Sequence, residues 1–166
     1  MAPTLPTGID ERLERWLTEY GVEHEVHEHP LTYTALATAR AEGVEPRTFA
    51  KVVGVRSEDG GVALIVLDAV DVVDLGKVHE LIGERVRLLS EAELTAACPD
   101  WEVGTVPPIP ELCGAPVYAD EAVRTDAKIS FNAGSHRVAV RVDRAAWERA
   151  AQIVYADVTR RHGPAA

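Results

Sequence analysis

The chain has 166 residues, of which 46% are hydrophobic, 27% charged and 5% aromatic. That suffices for one domain whose core is built from Val, Leu, Ile and Ala without disulfide staples. Its 27 acidic and 17 basic residues leave a formal charge of −10. This excludes broad, sequence-blind binding to nucleic acid but leaves room for a local basic pocket that holds one small piece of it.

Cys98 and Cys113 form no CxxC pair and stand near no histidine cluster, so two reduced thiols are expected rather than a disulfide framework or a zinc site. The segment from Met1 to Pro6 lacks the basic and apolar stretches of a signal peptide, and no apolar run approaches a membrane span. A cytoplasmic protein with neither a membrane nor a DNA partner is the expectation.

Asp10 is a good N-cap for a first helix in which Leu13, Trp16, Leu17 and Tyr20 recur at helical spacing, with Gly21 as the stop. Val22 to His29 reads as a short edge strand ended by Pro30. Thr34 can cap a second helix through Ala39 and Glu42, closed by Gly43 and Pro46. Ala50–Arg56 and Val62–Leu67 read as a hairpin about the turn Ser57-Glu-Asp-Gly-Gly61. Asp74 opens a third helix with Val78, Leu81 and Ile82 on one face before Gly83. A short strand over Arg85–Leu89 and a capping box at Ser90–Glu93 follow.

From Pro99 to Pro116 the chain reads as loop, too rich in Pro and Gly for an element interior. It carries Trp101, Val103, Val106, Ile109 and Leu112, so it has to pack somewhere. Strands are then expected at Ala115–Ala119, Lys128–Asn132 and Arg137–Val142. Asp143 caps a last helix with Ala146, Trp147 and Ala150, and the tail after Arg161 reads as frayed. Short strands without regular crossover helices predict an α+β domain with a mixed, partly closed sheet flanked by helices. One domain is expected over residues 1–166, with its core at about 10–161.

Lys51 heads the central strand Val52-Val-Gly-Val55, either as a solvated strand-end lysine or as an anion anchor. Gly104-Thr-Val-Pro-Pro108 is either a rigid surface turn or a loop whose amides face a ligand. Gly134 in Asn132-Ala-Gly-Ser-His136 reads as a hairpin glycine. His24, His27 and His29 lack the partners that complete a metal site and are expected at the surface. Ser130 or Ser135 with His136 and Asp126 makes a triad only on paper, because no nucleophile-elbow glycines surround either serine. There is no Walker loop or dinucleotide fingerprint, and no metal or cofactor is expected.

Taken in order, these features resemble the YbaK family of aminoacyl-tRNA deacylases, free-standing relatives of the prolyl-tRNA synthetase editing domain. The resemblance runs from about Leu13 to Arg161. It rests on His29-Pro-Leu-Thr-Tyr-Thr-Ala35, Ala50-Lys51-Val-Val, Val73-Asp-Leu-Gly-Lys-Val78, the Gly104–Pro108 loop, Phe131-Asn-Ala-Gly-Ser135 and Asp157-Val-Thr-Arg-Arg161. It implies the YbaK fold, a mixed and partly closed sheet, and an editing hydrolase that acts in trans on mischarged tRNA. The substrate implied is tRNA(Pro) carrying a small residue such as Ala or Cys.

By resemblance, Lys51 and Gly104 carry catalysis, Lys51 anchoring the tRNA 3′ end and Gly104 presenting backbone amides. Thr34, Thr105, Pro108, Asn132, Gly134, Ser135 and His136 contact substrate, and Arg47, Arg56 or Arg137 add local charge. The implied partners are the acceptor end of mischarged tRNA and an aminoacyl-tRNA synthetase. The loop Pro107-Pro108-Ile109-Pro110 departs from the family pattern, as does Ala133 where some members have serine, and Asn132 with His136 resembles other branches, which puts substrate choice in question. The competing expectation is a catalytically silent module that binds aminoacyl-tRNA ends or a nucleotide and docks on a synthetase.

Overall fold

The computed structural model describes residues 9–32, 34–102 and 104–160; the expected frayed tail lies outside them. Helix α1 (Glu11–Glu19) starts where the Asp10 carboxylate accepts from Arg12 N–H, and it buries Leu13, Trp16 and Leu17. Strand β1 (His24–Glu28) follows, then α2 (Ala35–Glu42), capped by Thr34 and closed by Gly43 in the left-handed region. Strands β2 (Ala50–Ser57) and β3 (Val62–Asp68) form the expected antiparallel hairpin. Asp74 caps α3 (Leu75–Ile82), and β4 (Val86–Leu88) leads to α4 (Glu91–Ala97), whose capping box is formed by Ser90 and Glu93. The helix starts follow from side chains that satisfy helix-end amides, and the ends of α2 and α3 from glycines that tolerate positive φ.

The structure departs from expectation in three ways. The proline-rich stretch contains one helical turn, α5 (Pro110–Cys113), because Pro110 at its first position loses no needed N–H and Gly114 closes it. Short 3-10 turns occupy Pro46–Thr48 and Glu121–Thr125. After β5 (Val117–Asp120), β6 (Lys128–Asn132), β7 (Val138–Asp143) and α6 (Arg144–Ala151), the chain adds an unforeseen strand, β8 (Val154–Ala156). Its signal is hidden because α6 ends on Gln152, a non-glycine residue at φ 53°, so no Gly or Pro marks the boundary.

The strands form two sheets, β4-β2-β3-β5-β8 and β1-β7-β6. β5 runs parallel to both β3 and β8, whereas the remaining pairs are antiparallel, so the sheet is mixed as expected. One isolated parallel bridge, Phe49 to Ser130, joins the two sheets. Between them lies the main core, where Leu64 and Val66 of β3 meet Phe131 of β6, Val140 of β7, α1 and Trp147 of α6. A second cluster, with Val55, Ile65, Leu67 and Val78, covers the other face of the larger sheet beneath α3.

The proline-rich loop is held as firmly as an element. Trp147 is fully buried and its indole N–H donates to Pro108 C=O at 2.9 Å. Trp101 N–H donates to Leu112 C=O at 3.1 Å, and the Arg12 guanidinium lies 4.2 Å above the Trp101 ring. Gly134, between β6 and β7, is more than a hairpin glycine. A Cβ there would stand 2.8 Å from Asp10 Cβ and 3.1 Å from the Trp101 ring, at a φ of 82°. Gly134→Ala is therefore expected to lower unfolding free energy by about 1–3 kcal/mol, read as a reduced urea midpoint at unchanged slope.

Candidate active site

The two sheets touch at Phe49–Ser130 and then part, and the gap holds a cleft of about 340 Å³. One wall is Ala50, Lys51 and Val52 of β2 together with Ala69. The facing wall is Phe131 and Asn132 of β6, with Gly104 and Val106 from the loop. Thr34, Ala35 and Leu36 at the start of α2 complete the lining.

Strand alternation determines what β2 offers this gap. Phe49 C=O accepts from Ala69 N–H on the β3 side, whereas Gly54 C=O accepts from Leu89 N–H on the opposite edge. The peptide groups of Ala50 and Val52 therefore point away from β3. β4 begins to pair only at Val55, and the contact with β6 ends at Phe49. Among the described residues the Val52 edge thus has no ladder partner and faces the cleft as a backbone donor and acceptor.

Lys51 is half-buried, and its ammonium donates to Ala69 C=O at 3.3 Å. Burial pushes its pKa below the ordinary lysine value, while the charge of Asp71 opposes that shift. Gly104 has φ 79°, and its carbonyl accepts from Asn132 Nδ2 at 3.0 Å. A side chain at position 104 would begin 3.4 Å from His136 Cε1, so the imidazole backs the loop. Thr34 lines the cleft while its hydroxyl caps α2 by accepting from Ala37 N–H at 3.0 Å.

The structure therefore brings together Lys51, Gly104, Thr34 and Asn132, with His136 beside them. It places the other sequence-derived candidates elsewhere. Thr105 is fully buried and donates to Glu102 C=O at 2.7 Å, and Pro108 is buried beneath Trp147. Both side chains shape the loop. Gly134 packs on Asp10 and Trp101, and Ser135 Oγ accepts from Arg137 N–H at 3.0 Å. Arg56 is at the far end of β2, 3.6 Å from Glu93, and Arg137 is exposed. Arg47 acts electrostatically on Asp68 and Asp126. Sequence reasoning missed Val52, Ala69, Val106 and Phe131, which enter only because two strand ends diverge.

His29 is not the surface residue expected: it is 8% exposed, because its N–H donates to Arg137 C=O and prolongs the β1–β7 pairing. Among the described residues no group of three His, Cys, Asp or Glu is arranged to hold a metal ion. Ser130 is 1% exposed and accepts from the Arg141 guanidinium, a poor setting for a nucleophile. Both cysteines are free and buried, and burial raises both thiol pKa values.

A family model described as the aminoacyl-tRNA editing domain matches residues 29–150. The chain belongs to that family. The match spans every residue that lines the cleft of this editing domain. No curated protein sequence matches it. Solved structures share its fold. A protein proposed as a trans-editing enzyme for prolyl tRNA synthetase is 24% identical with a TM-score of 0.77, over 93% of this chain and all of that one. The hypothetical protein APE2540 is 23% identical with a TM-score of 0.81, over 90% of this chain and all of its own. A scaffold protein used for epitope grafting is 24% identical with a TM-score of 0.77, over 90% of this chain and 96% of its own.

Behind the cleft wall of the editing domain, Asp68 pairs in register with Ala50 and is 5% exposed. Burial, then the charges of Asp126, Asp71 and Asp120, push its pKa up to about 7, with Arg47 opposing. Between about pH 4 and pH 7 the unfolded carboxyl has released its proton and the folded one retains it. The folded state binds more protons over that window, so stability falls as pH rises through it. Asp68→Asn is expected to flatten this slope and raise unfolding free energy at pH 8, as measured by urea titrations at pH 5 and pH 8.

Proposed function

We propose that this editing domain acts in trans as an aminoacyl-tRNA deacylase. The reaction is hydrolysis of the ester between a mismatched amino acid and the 3′-terminal adenosine of tRNA, with free amino acid and deacylated tRNA as products. The carrying observation is the cleft itself. A half-buried ammonium, a glycine loop and an open backbone edge surround a small apolar space, with no carboxylate, imidazole or thiol among the described lining side chains. Such a site is poorly equipped for chemistry that needs strong acid–base assistance, but an aminoacyl ester is already reactive. Positioning a water and stabilising the tetrahedral oxyanion with fixed N–H donors are enough.

In this reading Lys51 pairs with a phosphate near the tRNA 3′ end, as its charge and its place on the cleft wall favour. The Val52 and Gly104 amides are the donors nearest an ester carbonyl in the gap. The free ribose hydroxyl beside the ester orients the attacking water. Val52, Val106 and Phe131 leave room for a small side chain, which favours Ala or Cys on tRNA(Pro). One methylene in such a wall discriminates by only about 1–3 kcal/mol. The fold shared with a protein proposed as a trans-editing enzyme for prolyl tRNA synthetase fits a role in editing for that synthetase. With a net charge of −10, affinity for free tRNA rests on this local cation and is weak.

The absence of carboxylate, imidazole and thiol side chains among the described lining residues also suits a silent module that holds aminoacyl ends and docks on a synthetase. A panel of mischarged tRNAs separates the two readings. The deacylase is expected to release alanine or cysteine from tRNA(Pro). Lys51→Ala is expected to cost about 10- to 100-fold in kcat/KM, mainly through KM, as loss of a charged hydrogen bond does. Binding without turnover of any substrate establishes the module, and a fully active Lys51→Ala removes Lys51 as the anchor.

A further inference from the structure

We infer that Asn132 is a positioning residue for the deacylation proposed above: it turns the Gly104 carbonyl out of the reaction space rather than contacting substrate. Its side-chain amide has one defined orientation. Gly104 C=O is an acceptor only, so the atom 3.0 Å away must be Nδ2, which donates. Oδ1 is then the other end of the group, and it is shielded from solvent with no hydrogen-bond partner among the described residues. An amide held to contact a polar ligand would keep that oxygen accessible. Here the amide accepts the cost of a buried, unsatisfied oxygen in order to hold one carbonyl.

That carbonyl matters because of where it is. Gly104 lines the cleft and sits at φ 79°, a conformation that leaves its two peptide planes free to reorient unless something holds them. A carbonyl oxygen directed into the gap would face the negative charge that develops on a hydrolysed ester and would oppose it. Pinned by Asn132, the Gly104 oxygen is occupied, and the other end of the same peptide unit is held too, because Thr105 N–H donates to Glu102 C=O at 3.0 Å. β6 gives Asn132 this reach. The strand ends at that residue, and Ala133 N–H donates to Val138 C=O to close the turn beyond it.

The test is Asn132→Asp, an isosteric change that replaces the donor with an oxygen. Ionised, the carboxylate repels Gly104 C=O; protonated, its O–H donates to the same atom. Among the described residues, Lys51 on the facing wall and His136 beside Gly104 are ionisable groups of the same site. Both are also in the wild-type protein, so the readout is the ratio of variant to wild-type kcat at each pH on the same mischarged tRNA.

At pH 8 the variant is expected to lose about 100-fold in kcat with little change in KM, the scale of a misplaced catalytic contact. The ratio is expected to rise as pH falls to 5, in step with the protonated fraction of an aspartate, about a tenth or less there, and not to reach one. Asn132→Ala, with no donor at any pH, is expected to lose activity without recovery. A variant as active as wild type at pH 8, or a deficit that does not change with pH, overturns the inference. An inactive wild type overturns the deacylase reading itself, and the inference with it. Urea midpoints for both variants are expected to show them folded at each pH; an unfolded Asn132→Asp at pH 8 identifies a structural role and also overturns the inference.

Discussion

A single backbone bridge, Phe49 to Ser130, is the constraint on which the rest of this molecule depends. Two sheets that shared a full ladder at that seam would be one continuous sheet with no gap between β2 and β6. Two sheets with no contact would leave Phe49, which is fully buried, without its surroundings. One bridge brings β2 and β6 together at a point and lets them diverge beyond it. The divergence exposes peptide groups that a sheet normally hides, and it does so inside the protein, where water competes least. Lys51 and Asn132 flank the opening because each lies within two residues of the bridge.

The second wall has a different origin. The Gly104 loop has little regular structure, yet Trp101, Trp147 and Arg12 tie it to α1, α5 and α6. Indole N–H groups bonded to loop carbonyls do here what a ladder does in a strand: they satisfy the buried backbone and fix its path. Proline removes donors that would otherwise need partners, so the Pro107–Pro110 run suits a buried crossing better than a mobile lid. The cleft is accordingly built between two rigid walls, one a strand edge and one a loop stiffened by aromatic anchors.

How much of this was legible in the sequence follows from the range of each cause. Helix starts at Asp10, Thr34, Asp74, Ser90 and Asp143 were readable because a cap acts within three residues. The β2–β3 hairpin was readable from alternation and its turn. β8 was not, since three residues with no breaker before them carry almost no periodic signal. In the site, Lys51 and Gly104 stood out as residue types, but Thr105 and Pro108 looked the same from the sequence and face the core. Val52, Ala69 and Phe131 had no chance of selection, because their role comes from tertiary divergence and not from their chemistry. Asp68 was equally hidden: nothing local distinguishes a carboxyl that ends buried beside Asp126 and Asp120 from one in water.

Among the described residues the cleft is lined by no acidic, basic or thiol side chain other than Lys51, and this has a consequence for selectivity. On the proposed chemistry, the reactivity of the bond being broken limits turnover, because the protein brings no strong base or nucleophile of its own. Peptide bonds are far more inert than aminoacyl esters, so nascent chains and neighbouring proteins gain almost nothing from entering the same gap. Selectivity between bond types is then built in by omission. On that chemistry, such a site can meet other proteins without cutting them.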